Sequence, residues 1–342
     1  MSLDRIRLAS LHDKVMSAEQ AASFIENDMT VGMSGFTRAG EAKAVPQALA
    51  ERAKKNPLKI TLITGASLGN DLDKQLTEAG VLARRMPFQV DNTLRRAINN
   101  GEVMFVDQHL SETVEHMRNL QLKKPDIAVI EAVAITEDGG IIPTTSVGNS
   151  ASFAIFAEKV IVEINTNTSI AFEGLHDIYI PTYRPTRQPI PLTKVDERMG
   201  STAINIDPAK IVGIVFNDTL LDSPSTVTPP DDETQGIANH LIAFFEKEVA
   251  EGRLPKNLGP LQAGIGSIAN AVLTGLKDSP FEDLVMYSEV LQDCTFELID
   301  AGKMKFASGC SITLSQKYGE KVFGNIEAYR DKLVLRTQEM SN

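Results

Sequence analysis

The sequence predicts an α/β protein of two open domains with largely parallel sheets and an active site in the cleft between them. Short apolar runs with polar or glycine borders alternate with helical patterns along the 342 residues. A chain of that length exceeds what one compact core usually holds. A stretch dense in Ser, Thr, Pro and Asp, NDTLLDSPSTVTPPDDET, interrupts the alternation, which then restarts. The expected division is therefore a first domain over 1–220, a linker over 221–233 and a second domain over 234–342. Ligands of such sheets meet the C-terminal ends of the strands.

The elements follow in order. Ser17 with Gln20 three residues on is a capping box, followed by apolar residues at helical spacing. MTVGM (29–33) and KITLIT (59–64) predict strands, with GEAKAVPQALAERAKK between them as a helix, so the three form a parallel βαβ unit. Further strands are predicted over 102–106, 127–136, 160–164 and 211–216. The proline-rich segment 174–191, containing YIPTYRPTRQPIP, is expected to be an extended surface loop. Its Arg184 and Arg187 are either solvated or available to an anion. Beyond the linker, Asp231 or Asp232 starts an amphipathic helix, DETQGIANHLIAFFEKEVAEG. A strand over 261–263, a glycine loop, a helix and a strand over 284–287 come next. Glu289 and another helix, starting near Val290, follow, and then a strand-turn-helix from KMKFASGCS.

Composition narrows the function. Hydrophobic residues at 42% and charged residues at 23% are ordinary for a soluble globular chain, and no apolar run reaches the roughly 18 residues that span a bilayer. The N-terminus MSLDRIRLASLHDKV lacks a signal-peptide pattern, so a cytoplasmic location without membrane attachment is expected. The two cysteines, Cys294 and Cys310, have no CxxC spacing and read as small buried hydrophobes. The five histidines are scattered singly, so no metal site is expected. A formal net charge of −11 argues against nucleic-acid partners, which demand a basic face.

The chemistry concentrates in GIGSIANAVLTGL (264–276) and DLVMYSEVLQD (283–293). Gly264-Ile265-Gly266 followed by Ser267-Ile268-Ala269 satisfies a GxGxxG/A dinucleotide fingerprint, whose free N–H groups at a helix start attract phosphate. Glu289 lies 25 residues past Gly264, close to where that fingerprint places an acid for a ribose, so a nicotinamide-dependent dehydrogenase is one reading. A carboxylate at such a turn can instead attack a thioester carbonyl and give an acyl-glutamyl anhydride. The glycine-loop N–H groups would then serve coenzyme A phosphates or an oxyanion. The third reading has Glu289 stabilise the first turn of the following helix. Local chemistry leaves these three open.

GIGSIANAVLTGL with YSEVLQD, preceded by SGFTRAGEAKAVP, TGASLG and VGNSASF, resembles the acetyl-CoA hydrolase/transferase family. This is the branch of class I coenzyme A transferases that includes succinate:acetate CoA-transferases. The match runs from near Met29 to the end of the chain. The resemblance implies two CoA-transferase-like α/β domains, with Glu289 as the nucleophile that becomes a glutamyl-CoA thioester. It assigns Gly264, Ile265, Gly266, Ser267 and Ile268 to coenzyme A, with Ser267 where the family usually has Asn. It makes Ser67, in the TGAS segment, a candidate for the small-carboxylate pocket.

Family members also continue past the position of Asn342 through another glycine-rich segment, so the second domain is expected to be incomplete at its C-terminus. The implied activity is transfer of coenzyme A between short acyl groups and small carboxylic acids, with acetyl-CoA the first substrate to try. Coenzyme A is then a substrate, no cofactor is tightly bound, and a homodimer is expected. Acetyl-CoA hydrolysis on the same scaffold is the alternative. Transferase is favoured because a covalent glutamyl-CoA conserves thioester energy that a hydrolase has no need to keep. A non-catalytic acyl-CoA-binding module is a further class.

Overall fold

The structure is a computed structural model that describes residues 3–66, 71–226 and 229–341. The first half builds a sheet from β1 (Thr30–Met33), β2 (Ile60–Ile63), β3 (Leu82–Met86), β4 (Met104–Phe105), β5 (Ile127–Ile135), β6 (Ile141–Pro143), β7 (Lys159–Asn165) and β9 (Ile211–Asn217). Its order is β4-β3-β2-β1-β5-β7-β9, all parallel, with β6 antiparallel to β5. Helices cover both faces, which is why β5 (IAVIEAVAI) is buried along its whole length rather than alternating.

The second sheet runs β10 (Pro260–Leu261), β11 (Leu284–Tyr287), β13 (Met304–Gly309), β15 (Leu333–Arg336) and β8 (His176–Asp177), also parallel. A parallel pair of β12 (Val290–Leu291) and β14 (Ser311–Ile312) lies beside it. The fold is thus two largely parallel α/β sheets, as the alternating pattern predicts. One apolar cluster runs through both, from Ile130 and Val162 of the first sheet to Leu284 and Leu335 of the second.

Local chemistry explains the helix starts. Gln20 N–H donates to Ser17 Oγ over 3.2 Å and Ser17 N–H donates to Gln20 Oε1 over 3.0 Å, closing the expected box on helix Ala18–Ala22. Asp231 and Thr234 do the same for helix Asp232–Ala250.

Six strands escape the sequence pattern: β3, β6, β8, β12, β14 and β15. β3 reads LARRM, and its buried Arg85 is charged yet paired with Asp73 at 2.7 Å. β6, β8 and β12 are only two or three residues long. β8 corrects the surface-loop expectation for 174–191: Leu175, His176, Asp177 and Ile178 are buried, and they form an edge of the second sheet although they lie in the first half. Only the later part of that segment is exposed. There Arg184 and Arg187 both pair with Glu115; the Arg184 side chain stays largely exposed, as the solvated reading expects, while that of Arg187 is mostly covered.

Candidate active site

Glu289 stands between β11 and β12, half-buried, at the C-terminal end of the second sheet. The helix after it is Asp293–Asp300, with Gln292 at its N-cap, because Val290 and Leu291 are drawn into pairing with β14. Glu289 is therefore not in the first turn of any helix, and the capping reading fails. Its neighbours hold the glycine loop: Ser288 Oγ donates to Ala263 O over 3.0 Å and Gln292 Nε2 donates to Gly264 O over 3.2 Å. Helix Ser267–Leu276 starts directly after Gly266, whose φ of 154° favours glycine.

A cleft of about 910 Å³ opens in front of this turn. Glu289, Val290, Ala263, Gly264 and Ile265 line it from the second half, and Phe36, Thr37, Arg38 and Ala66 from the first. Residues 107–110, Phe88 and Val90 complete the wall; nothing in their sequence marks them beforehand. The structure thus brings Glu289, Gly264 and Ile265 together, while Gly266, Ser267 and Ile268 run on into the helix outside this lining. Ser67 lies outside the described residues. Thr37 and Thr313 hydroxyls meet at 2.5 Å across the junction of the halves.

The segment from Ser34 to Lys43, which delivers Phe36, Thr37 and Arg38, is anchored by a buried ionic cluster. Lys43 Nζ sits 2.5 Å from Glu131 Oε2 and 2.8 Å from Asp222 Oδ1. Gly40 N–H donates to Asp222 Oδ2 over 2.9 Å, so the Ser/Pro-rich crossing also fastens this loop. Glu163 of β7 accepts from the N–H groups of Lys43, Ala44 and Val45, capping helix Ala44–Lys55 from a neighbouring strand.

Burial opposes the Lys43 charge, yet Asp222 and Glu131 hold its pKa above the ordinary lysine value. Burial pushes the Glu131 carboxyl up to about 7, against the pull of Lys43. Between pH 4.5 and about 7 the folded protein therefore keeps a proton at Glu131 that the unfolded chain releases, so this group's contribution to stability falls as pH rises through that window. Glu131→Gln is expected to make the slope of unfolding free energy against pH less negative there. Denaturation curves at a series of pH values check this; parallel slopes for both proteins would refute it.

Both thiols are buried and pushed up to about 12, chiefly by desolvation, which leaves them poor nucleophiles. Among the described residues no group of three or more His, Cys, Asp or Glu side chains is arranged to hold a metal ion, and no helix is long and apolar enough to cross a membrane.

The sequence comparisons agree with this architecture. A family model, acetyl-CoA hydrolase/transferase N-terminal domain, matches residues 2–216. The chain is 44% identical over 340 residues to a succinyl-CoA:acetate CoA-transferase of Clostridium kluyveri, covering 99% of this chain and 63% of that protein. It is 42% identical over 349 residues to an acetyl-CoA hydrolase of Schizosaccharomyces pombe, covering 99% of this chain and 67% of that one. The chain thus spans about two-thirds of the length of these relatives.

Among solved structures, RipA from Yersinia pestis superposes with a TM-score of 0.71 at 18% identity, covering 96% of this chain and 70% of that one. A 4-hydroxybutyrate CoA-transferase from Porphyromonas gingivalis gives 0.59 at 15%, covering 96% and 69%. Such low identities speak to the fold alone. With the family model over more than half of the chain and relatives above 40% identity along nearly all of it, the chain belongs to the acetyl-CoA hydrolase/transferase family.

Proposed function

We propose that the protein is an acyl-CoA:carboxylate CoA-transferase acting on short acyl groups of the acetyl-CoA/succinyl-CoA type. The observation that carries this reading is Glu289 itself: a half-buried carboxylate that lines a cleft between the two sheets, beside a glycine loop that its own neighbours hold in place. Glu289 attacks the acyl-CoA carbonyl and expels the thiolate, forming an acyl-glutamyl anhydride. The thiolate then attacks the glutamyl carbon, releases the first acid and leaves glutamyl-CoA. An acceptor acid reverses the sequence. The exposed loop at Gly264 and Ile265, continuing through Gly266, Ser267 and Ile268 into the helix, supplies backbone N–H groups for coenzyme A. Coenzyme A serves as substrate rather than as a bound cofactor, and a cytoplasmic homodimer is the form expected.

Hydrolysis of acetyl-CoA on the same site is the second reading, favoured by the name of the fission-yeast relative. The two differ in whether water reaches the intermediate while a carboxylate is present. Incubating the full-length protein with acetyl-CoA and measuring intact mass, followed by peptide mapping, tests the proposal. A coenzyme A adduct on the peptide holding Glu289 is expected. Free coenzyme A without any adduct would favour direct hydrolysis, and neither adduct nor turnover, with NAD bound instead, would return the dehydrogenase reading.

A further inference from the structure

His109 lines the cleft from the first half of the chain and stands at the N-cap of helix Leu110–Arg118. Leu110 packs against the apolar cluster that contains Phe36, Ala66 and Val290, so His109 and Glu289 each come one residue before a side chain in that shared contact. The backbone at this point is fixed. Gln108 N–H donates to Pro87 O over 3.3 Å, and the His109 carbonyl accepts from Thr113 N–H over 3.0 Å and from Thr113 Oγ1 over 3.1 Å. The Gln108 side chain is engaged by Thr113 and His116. The exposed His109 ring, by contrast, does not cap the helix, and among the described residues it makes no hydrogen bond or ion pair. The other charged groups on the cleft walls are Arg38, Asp107 and Glu289, and Glu112 stands in the first turn of the same helix.

We propose that His109 is the general base that lets water compete for glutamyl-CoA, and so sets how far this cleft hydrolyses rather than transfers. This rests on the transferase reading above, whose intermediate it consumes. Transfer itself moves no proton, because its nucleophiles, a thiolate and a carboxylate, are already anions. Water is the one competing nucleophile that must lose a proton, and an imidazole is the side chain suited to take it and give it back near neutral pH. The ring removes one proton as the water oxygen bonds to the glutamyl carbon. The tetrahedral adduct then collapses, the C–S bond breaks, and the imidazolium returns that proton to the departing thiolate. The second proton of the water passes to solvent as Glu289 ionises again. A ring with no structural partner, on a fixed backbone at the wall of the nucleophile's cleft, has the freedom this exchange requires.

The test incubates the full-length protein with acetyl-CoA and labelled acetate. Label entering acetyl-CoA reads transfer, and free coenzyme A thiol reads hydrolysis in the same mixture. His109→Asn, which keeps a good N-cap residue, is expected to lower the ratio of hydrolysis to exchange about 100-fold, the scale of losing one general base. Hydrolysis by the unsubstituted protein should decline on the acid side as the imidazole takes up a proton, and that limb should be absent from His109→Asn. An unchanged ratio overturns this inference alone, as does an equal fall in both rates, which is what a merely structural role would give. The same shift in Asp107→Asn would move the base to that carboxylate and overturn it too, and so would exchange without measurable hydrolysis in the unsubstituted protein. Hydrolysis with neither exchange nor adduct overturns it together with the transferase reading.

Discussion

Glu289→Gln is expected to abolish the coenzyme A adduct and to lower acetyl-CoA turnover by on the order of 10³-fold or more, the scale on which losing a covalent nucleophile is felt. The substitution keeps the side-chain shape and replaces a half-buried carboxylate, so the thermal midpoint should stay within a few degrees of the parent. The amide has no anionic oxygen with which to attack a thioester. Intact-mass spectrometry and a thiol-release assay read the two effects separately. Persistent hydrolysis without adduct would mean that water attacks acetyl-CoA directly, and a persistent adduct would place the nucleophile elsewhere.

The largest stability effect is expected far from any sequence motif, at Arg336. Its guanidinium is fully buried, pairs with the equally buried Asp177, and donates to Ser308 Oγ over 2.7 Å and to the carbonyls of Val195 and Glu197. Asp177 Oδ1 in turn accepts from the N–H groups of Met199 and Gly200. This clip fastens β8, from the first half of the chain, to β15 in the second sheet. Arg336→Met leaves the Asp177 charge buried without its partner, which costs about 3–5 kcal/mol. Adding Asp177→Asn to Arg336→Met should recover part of that loss by removing the orphaned charge. Chemical denaturation measures both; a loss below about 1 kcal/mol for the single variant would show that apolar packing alone holds the strand.

Much of the site was legible because its chemistry is local in sequence. A glycine loop must precede a helix, and a carboxylate two residues beyond a strand must emerge at the sheet edge; GIGSIAN and YSEVLQD say both. The capping boxes at Ser17 and Asp231 are equally local, each a matter of one side chain and an N–H three residues on. The residues that finish the site were not legible. Gln338 lies 49 residues from Glu289 and meets it only because β11, β13 and β15 are neighbours in the sheet. Glu131 interrupts an apolar strand and has meaning only once Lys43, 88 residues away, is folded against it.

The sequence by itself determined that this is a largely parallel α/β chain of the acetyl-CoA hydrolase/transferase family, with its candidate nucleophile at Glu289. Periodicity, turn residues and contiguous motifs record interactions within a few positions, and those settle strands, helices and loops. Only the tertiary structure decided that residues 176–177 join the sheet of the other half, that the Ser/Pro-rich crossing sends Asp222 to Lys43, and that Gln338 grips one oxygen of Glu289. Burial is the reason. Each of those polar groups is driven to a particular distant partner because an unpaired charge or amide in the core is costly, and that requirement leaves no periodic trace in the chain.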